Sequence, residues 1–367
     1  MRRTCMNFQP KYKKLLKVIT VDSFGPPCIF SYVRHPIVFP CSYQRRYLAP
    51  SPFHTFALMI KYIWVLGATG YVGKHVVLEL LERHQGNPKV QIVTVGNQTI
   101  DAEVMERTHF LMMPLGEIDP KWLERYPPST LFHCARMAGS SGSARNRAAK
   151  FGEKANRKLK TLLEALPTPP MVIYCSGTLM YGNSIEPVFE GTAENPIAYA
   201  RAYERAERPW KEGSQILDIR MAYPAWIFGK GSWFEAFYVK PGMVEGATHI
   251  IGDGKAVMNL VHVEDVAGQL VHIATHGIPS EQYNIYGNSE ITQGQFASFV
   301  AQCLGSELKA LPKDVLVKRF GNTVTEALTS SIVLGTKHTK WKDSYALKHP
   351  DWKKMVREIC AAYLRKS

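Results

Sequence analysis

Apolar positions change their spacing along the chain in a way that predicts alternating strands and helices. Residues 62–66 form a short, almost unbroken apolar run, the pattern of a strand buried on both faces. Residues 71–83 instead place apolar side chains at Val72, Val76, Leu80 and Leu81, a spacing that predicts a helix with one buried face. A second strand is expected over residues 90–95. The two patterns alternate across residues 60–220, which implies an α/β fold: a Rossmann doubly wound parallel sheet with helices on both faces. In such sheets ligands bind at the carboxyl ends of the strands. No internal repeat at solenoid periods competes with this reading.

The turn between the first strand and the first helix carries Gly67, Gly70 and Gly73. Strand, glycine turn and helix in this order are the setting of a dinucleotide fingerprint. Gly67 permits the tight turn, Gly70 lets the backbone approach a pyrophosphate, and Gly73 lets helix and strand pack closely. The helix N-terminus offers unpaired N–H groups and the positive end of its dipole to the phosphates. Gly67, Thr69, Gly70, Tyr71, Val72 and Gly73 are therefore expected to bind the cofactor. The plainer alternative is a glycine turn used only for packing. At the end of the second strand, an acid would bind a ribose 2′-hydroxyl and an arginine a 2′-phosphate. Gly96, Asn97 and Gln98 are neither, so the cofactor is NAD or NADP, with a lean to NADP.

Composition narrows the class. With 367 residues, 46% hydrophobic and 21% charged, the chain reads as an ordinary globular protein with ample core. No apolar run approaches the ~18 residues of a spanning helix. Seven scattered cysteines, without CxxC or metal-ligand spacing, argue for reduced thiols and a cytoplasmic setting, and no metal site is expected. The net charge of +14 is uneven, because residues 1–58 contribute +8 of it. The remainder is mildly basic and has no nucleic-acid-binding motif. Residues 1–58 also hold seven of the 23 prolines. They read as a transit segment, a membrane-surface or partner-binding arm, or an extension without a folded role, since Met59 opens the first strand.

The spacing G-x-x-G-x-x-G and several segments C-terminal to it resemble the extended short-chain dehydrogenase/reductase group, the NAD-dependent epimerase/dehydratase family. "TLFHCARMAG" (130–139) resembles the family's fourth strand and its loop, so that Cys134 and Ala135 are implied cofactor contacts. Asn156 matches a helix asparagine that steadies the active-site region. "VIYCSGTLMYG" (172–182) resembles the fifth strand with its serine-rich end, and "LDIRMAYPAWIFG" (217–229) the sixth, with Pro224 near the nicotinamide. "IGDGKAVMNLVHVEDVAGQLVHIA" (251–274) is similar to a later family stretch. Gly67–Gly73, Cys134–Ala138, Ser176–Thr178 and Tyr223–Ala225 are then expected to cluster. The implied organisation is a Rossmann domain over 59–229 and 251–280, with a smaller substrate domain from 230–250 and 281–367.

Family members that move hydride use a Ser or Thr, a Tyr and a Lys. In "NPIAYARAYERAE" (195–207) Tyr199 matches the tyrosine, which the family also uses beside the cofactor, but Tyr203 stands where the lysine belongs. An unperturbed tyrosine, with a pKa of ~10, is a poor base at neutral pH, so the missing cation matters. The family serine aligns with Gly177, which leaves Ser176 or Thr178 as the hydroxyl, Thr178 being favoured. Arg201, Arg205, Lys154, Arg157 and Lys158 are candidate replacement cations. The resemblance implies an NAD(P)-dependent oxidoreductase or epimerase-like enzyme for a small carbonyl or hydroxyl compound, nucleotide sugars among them, and pairing into homodimers. The alternative is a non-catalytic NAD(P)H-binding sensor or scaffold. Trp226, Phe228, Trp233, Phe234, Phe237 and Tyr238 either wall a substrate pocket or fill a core.

Overall fold

The computed structural model describes residues 60–137, 139 and 142–365. The basic segment 1–58 and Ala138 lie outside the described residues. Strand β1 (Lys61–Leu66) ends in Trp64, Val65 and Leu66, none of them exposed, as a strand covered on both faces requires. Six more strands join it: β2 (Val90–Gly96), β3 (His109–Met112), β4 (Pro128–His133), β5 (Met171–Cys175), β6 (Asp218–Pro224) and β7 (Gln282–Ile285). Their order is β7-β6-β5-β4-β1-β2-β3, and every pairing is parallel. The strand order reverses between β1 and β4, which opens a crevice at their carboxyl ends.

Side chains alternate across this sheet. Trp64 and Leu66 enter one core with Tyr174, Tyr203 and Trp210, while Val65 enters the other with Val76, Leu80 and Leu270. Helices α1 (Tyr71–Arg83) and α4 (Val263–His276) cover the Val65 side. Helices α2 (Gly142–Glu164) and α3 (Ala198–Lys211) pair with each other on the opposite side. A third core, built on Phe228, Phe234, Tyr238, Leu260, Phe296 and Val356, forms the smaller C-terminal region. Gln282–Ile285 departs from the expected division. It is the edge strand of the large sheet, since Tyr283 and Ile285 are fully buried and paired in register with Ala222 and Pro224.

The glycine turn has the sterics expected of it. Gly67 has φ +77°, and a side chain there would strike the backbone of Cys134 and Ala135 at 2.7–2.8 Å. A Cβ on Gly73 would lie 2.1 Å from the Gly67 carbonyl oxygen, so the helix can sit this close to the strand only without one. Gly73→Ala should therefore cost about 2 kcal/mol or more. Urea unfolding checks this, and an unchanged midpoint would refute it.

Candidate active site

A cleft of about 1130 Å³ opens where the strand order reverses. Gly67, Thr69, Gly70, Tyr71 and Val72 form one wall. Gly70 is the N-cap of α1 and no side chain caps the helix, so its first N–H groups stay available to a ligand. Cys134, Ala135 and Arg136, beyond the end of β4, form the floor with Ser176, Gly177 and Thr178 beyond β5. Tyr199, Tyr203 and Glu207, one turn apart along α3, form a second wall, and Pro224 closes the end of β6. The aromatic group divides: Trp226, Trp233 and Phe237 line the cleft, whereas Phe228, Phe234 and Tyr238 are core.

Two residues expected at the cofactor do not line this cleft. Gly73 acts one layer back, through its close approach to the Gly67 carbonyl. Asn156 is fully inside and links elements: His133 Nε2 donates to its Oδ1 at 2.9 Å, and its Nδ2 donates to the Ala206 carbonyl at 2.7 Å. It thereby ties α2 to both β4 and α3.

The hydroxyls flanking Gly177 are both engaged. Ser176 Oγ donates to Glu207 Oε2 at 2.7 Å, and Thr178 Oγ1 donates to the Pro224 carbonyl at 3.3 Å. Thr178, the favoured hydroxyl, is thus the one held by backbone, and Ser176 is the one coupled to an acid. Burial raises the Glu207 carboxyl above the usual carboxylate range, against the opposing pull of Lys211 and Ser176. Lys211 Nζ lies 3.0 Å from Glu207 and 2.6 Å from Glu194, and Tyr223 Oη donates to Glu194 at 3.0 Å. The mostly buried ion pair is therefore part of a hydrogen-bonded chain from Ser176 to Tyr223. Lys211 is not among the residues expected from sequence, although its spacing of four from Glu207 places it one turn on along the same face.

The missing lysine has a neighbour of like charge. Arg136 Nη2 donates to Tyr199 Oη at 3.5 Å, and its guanidinium carbon stands 4.7 Å from the Tyr203 ring centre. Arg145, on α2, lies 5.7 Å from the Tyr199 ring centre. The cations that the sequence pattern suggests are occupied elsewhere or turned outward. Arg201 bonds the Pro196 carbonyl, Arg205 pairs with Glu153, Arg157 with Glu212, Lys158 bonds the Gly116 carbonyl, and Lys154 is exposed. Arg136 sits in "HCARM", where sequence alone shows a loop beyond a strand and gives no sign of its direction.

Cys134 and Cys175 stand side by side at the ends of β4 and β5, and bonding to Cys175 together with burial raises the Cys134 thiol. Cys134 is a poor nucleophile in that state. Beside them, burial pushes the His133 imidazole down to about 4, below its ordinary 6.5. The neutral ring thus contributes stability that is complete above pH ~6.5 and is lost as pH falls through 4, ~3 kcal/mol in all. Between pH 7 and about pH 4.5, wild type should lose about 2 kcal/mol more than His133→Gln in urea unfolding. Equal losses would show that His133 does not titrate with unfolding.

Residues 63–211 match the NAD dependent epimerase/dehydratase family. No curated protein sequence matches the chain significantly. Among solved structures, dTDP-glucose 4,6-dehydratase from Bacillus anthracis, in complex with NAD, superposes with a TM-score of 0.66 at 15% identity, over 84% of this chain and 97% of that one. UDP-glucose 4-epimerase from Thermotoga maritima, with UDP-glucose, gives 0.66 at 21% identity, over 83% and 99%. A human epimerase family protein with NADPH gives 0.65 at 15% identity, over 82% and 99%. Identities this low speak to the fold, and the family match speaks to the sequence. Residues 63–211 are thus similar in sequence to the NAD dependent epimerase/dehydratase family, and the solved structures share the fold of this chain.

Proposed function

We propose that the chain is an NAD(P)-dependent oxidoreductase or epimerase-like enzyme, acting on a small carbonyl or hydroxyl compound of the nucleotide-sugar kind, in which an arginine replaces the usual lysine. The observation that carries this reading is the Arg136 guanidinium, bonded to the Tyr199 hydroxyl and stacked over Tyr203, the residue in the lysine's place. The bound nicotinamide would supply or accept the hydride. Gly67, Thr69, Gly70, Tyr71 and Val72 would hold the dinucleotide phosphates, and Cys134, Ala135 and Pro224 would flank its nicotinamide half. Tyr199 would pass the proton to or from the substrate oxygen, with Arg136 donating to the phenol and compensating the charge it acquires. Ser176, backed by the Glu207–Lys211 pair, would orient the substrate oxygen; Thr178 is the more buried of the two hydroxyls. Apolar Trp226, Trp233 and Phe237 would cover one side of the substrate.

A second reading is supported by the engagement of both flanking hydroxyls: a protein that binds NAD(P)H without turning it over. Calorimetry of the full chain with NAD⁺, NADH, NADP⁺ and NADPH addresses what the two readings share. One oxidised–reduced pair should bind, and Gly70→Asp, which brings a carboxylate to the pyrophosphate, should abolish binding. If none of the four binds the folded protein, both readings fall. Turnover then separates them. With a nucleotide-sugar panel, Tyr199→Phe and Arg136→Met should each lower kcat by about 10²-fold or more, while Tyr203→Phe changes it far less. Comparable small effects in all three would remove Tyr199 from the mechanism.

A further inference from the structure

Away from the floor of the cleft, imidazoles converge on one carboxylate. His262 ends the strand Val257–His262 and is the N-cap of α4, Glu264 lies in the first turn of that helix, and His349 precedes the helix Trp352–Leu364. One ligand-type atom from each lies within 4.8 Å of the other two. His349 Nε2 is 2.9 Å from Glu264 Oε2, and the rings of His262 and His349 are 4.0 Å apart. His75, on α1, faces the same group with its Nδ1 already bonded to the Tyr71 carbonyl.

The hydrogen bonding of His349 decides what the cluster needs. Its Nδ1 lies 3.1 Å from Met355 Sδ, and a thioether only accepts, so Nδ1 bears a proton. A neutral ring then turns the bare lone pair of Nε2 toward a carboxylate oxygen. Two lone pairs at that distance repel unless a proton or a cation lies between them. The donor set is also held in place: the backbone N–H groups of Lys348 and His349 both donate to the Asp265 carboxylate, at 2.6 and 3.0 Å. Glu264 is the exposed member and can turn to close the remaining distance.

We propose that His262, Glu264 and His349 form a binding site for a divalent transition-metal ion of the zinc class, with a water as fourth ligand. Two imidazoles and one carboxylate are a donor set that zinc accepts, Met355 would serve as the partner that fixes the His349 tautomer, and His262 would give up the long bond, 3.4 Å, that its Nδ1 accepts from the Glu264 N–H. The ion would join α4 of the Rossmann region to the C-terminal segment around residue 349, acting as a clamp rather than as part of the hydride chemistry. Sequence spacing carries no hint of it, because eighty-seven positions separate the two histidines and no short motif marks them.

The test uses the full chain, stripped with EDTA and titrated with Co²⁺ and then Zn²⁺. One equivalent of Co²⁺ should give the visible absorption of a four-coordinate site, Zn²⁺ should displace it, and Tm should rise. His349→Gln and Glu264→Gln should each weaken binding by at least about tenfold. Zn²⁺ should also protect His262 and His349 of the unmutated protein from diethyl pyrocarbonate, read by mass spectrometry, which needs no variant to fold. Absence of the cobalt spectrum, or binding without protection of these two histidines, would overturn the proposal and leave an imidazolium–carboxylate pair. Equal binding by folded variants would overturn it too.

Discussion

One buried amide ties together two of the elements that line the cleft. Asn156 accepts from His133 at the end of β4 and donates to a carbonyl in the middle of α3, so a single side chain sets the separation between a strand end and a helix. Those two elements carry the groups on which the site depends: Arg136 follows β4, and Tyr199, Tyr203 and Glu207 lie on α3. Both bonds of Asn156 are sheltered from water, where an unpaired polar atom costs far more than a satisfied one returns.

The same helix carries a second constraint. Glu207 and Lys211, one turn apart, are both largely removed from water and are held between Ser176 and Glu194. A buried pair of this sort adds little net stability, but loss of either partner strands the other charge. What the pair secures is position: the Ser176 hydroxyl is aimed by an acid that cannot move without breaking its own ion pair. Tyr203, in contrast, is packed into the core beneath Tyr199.

The large-scale features are legible in sequence because they are local or periodic. A strand, a glycine turn and an amphipathic helix each declare themselves within twenty residues, and the clustering of Gly67–Gly73, Ser176–Thr178 and Pro224 follows from parallel topology alone. The division of the aromatic residues is not legible, since alternate residues of one segment face the cleft and the core. Nor is the role of Gln282–Ile285, whose burial depends on pairing with a strand sixty residues earlier. Arg136 escapes sequence reading for a related reason. A loop residue's direction is set by what packs on either side of it, whereas the five cations that the pattern suggests all lie on helices, where direction can be counted.

An arginine that arrives from a loop changes which sequences the site can tolerate. Its guanidinium already occupies the space above position 203 at 4.7 Å from the ring centre. Placing a lysine at 203 would therefore set an amine against that guanidinium, and would also take it into core that Tyr203 now fills. Positions 136 and 203 are in this sense coupled: a change at either alters the surroundings of the other.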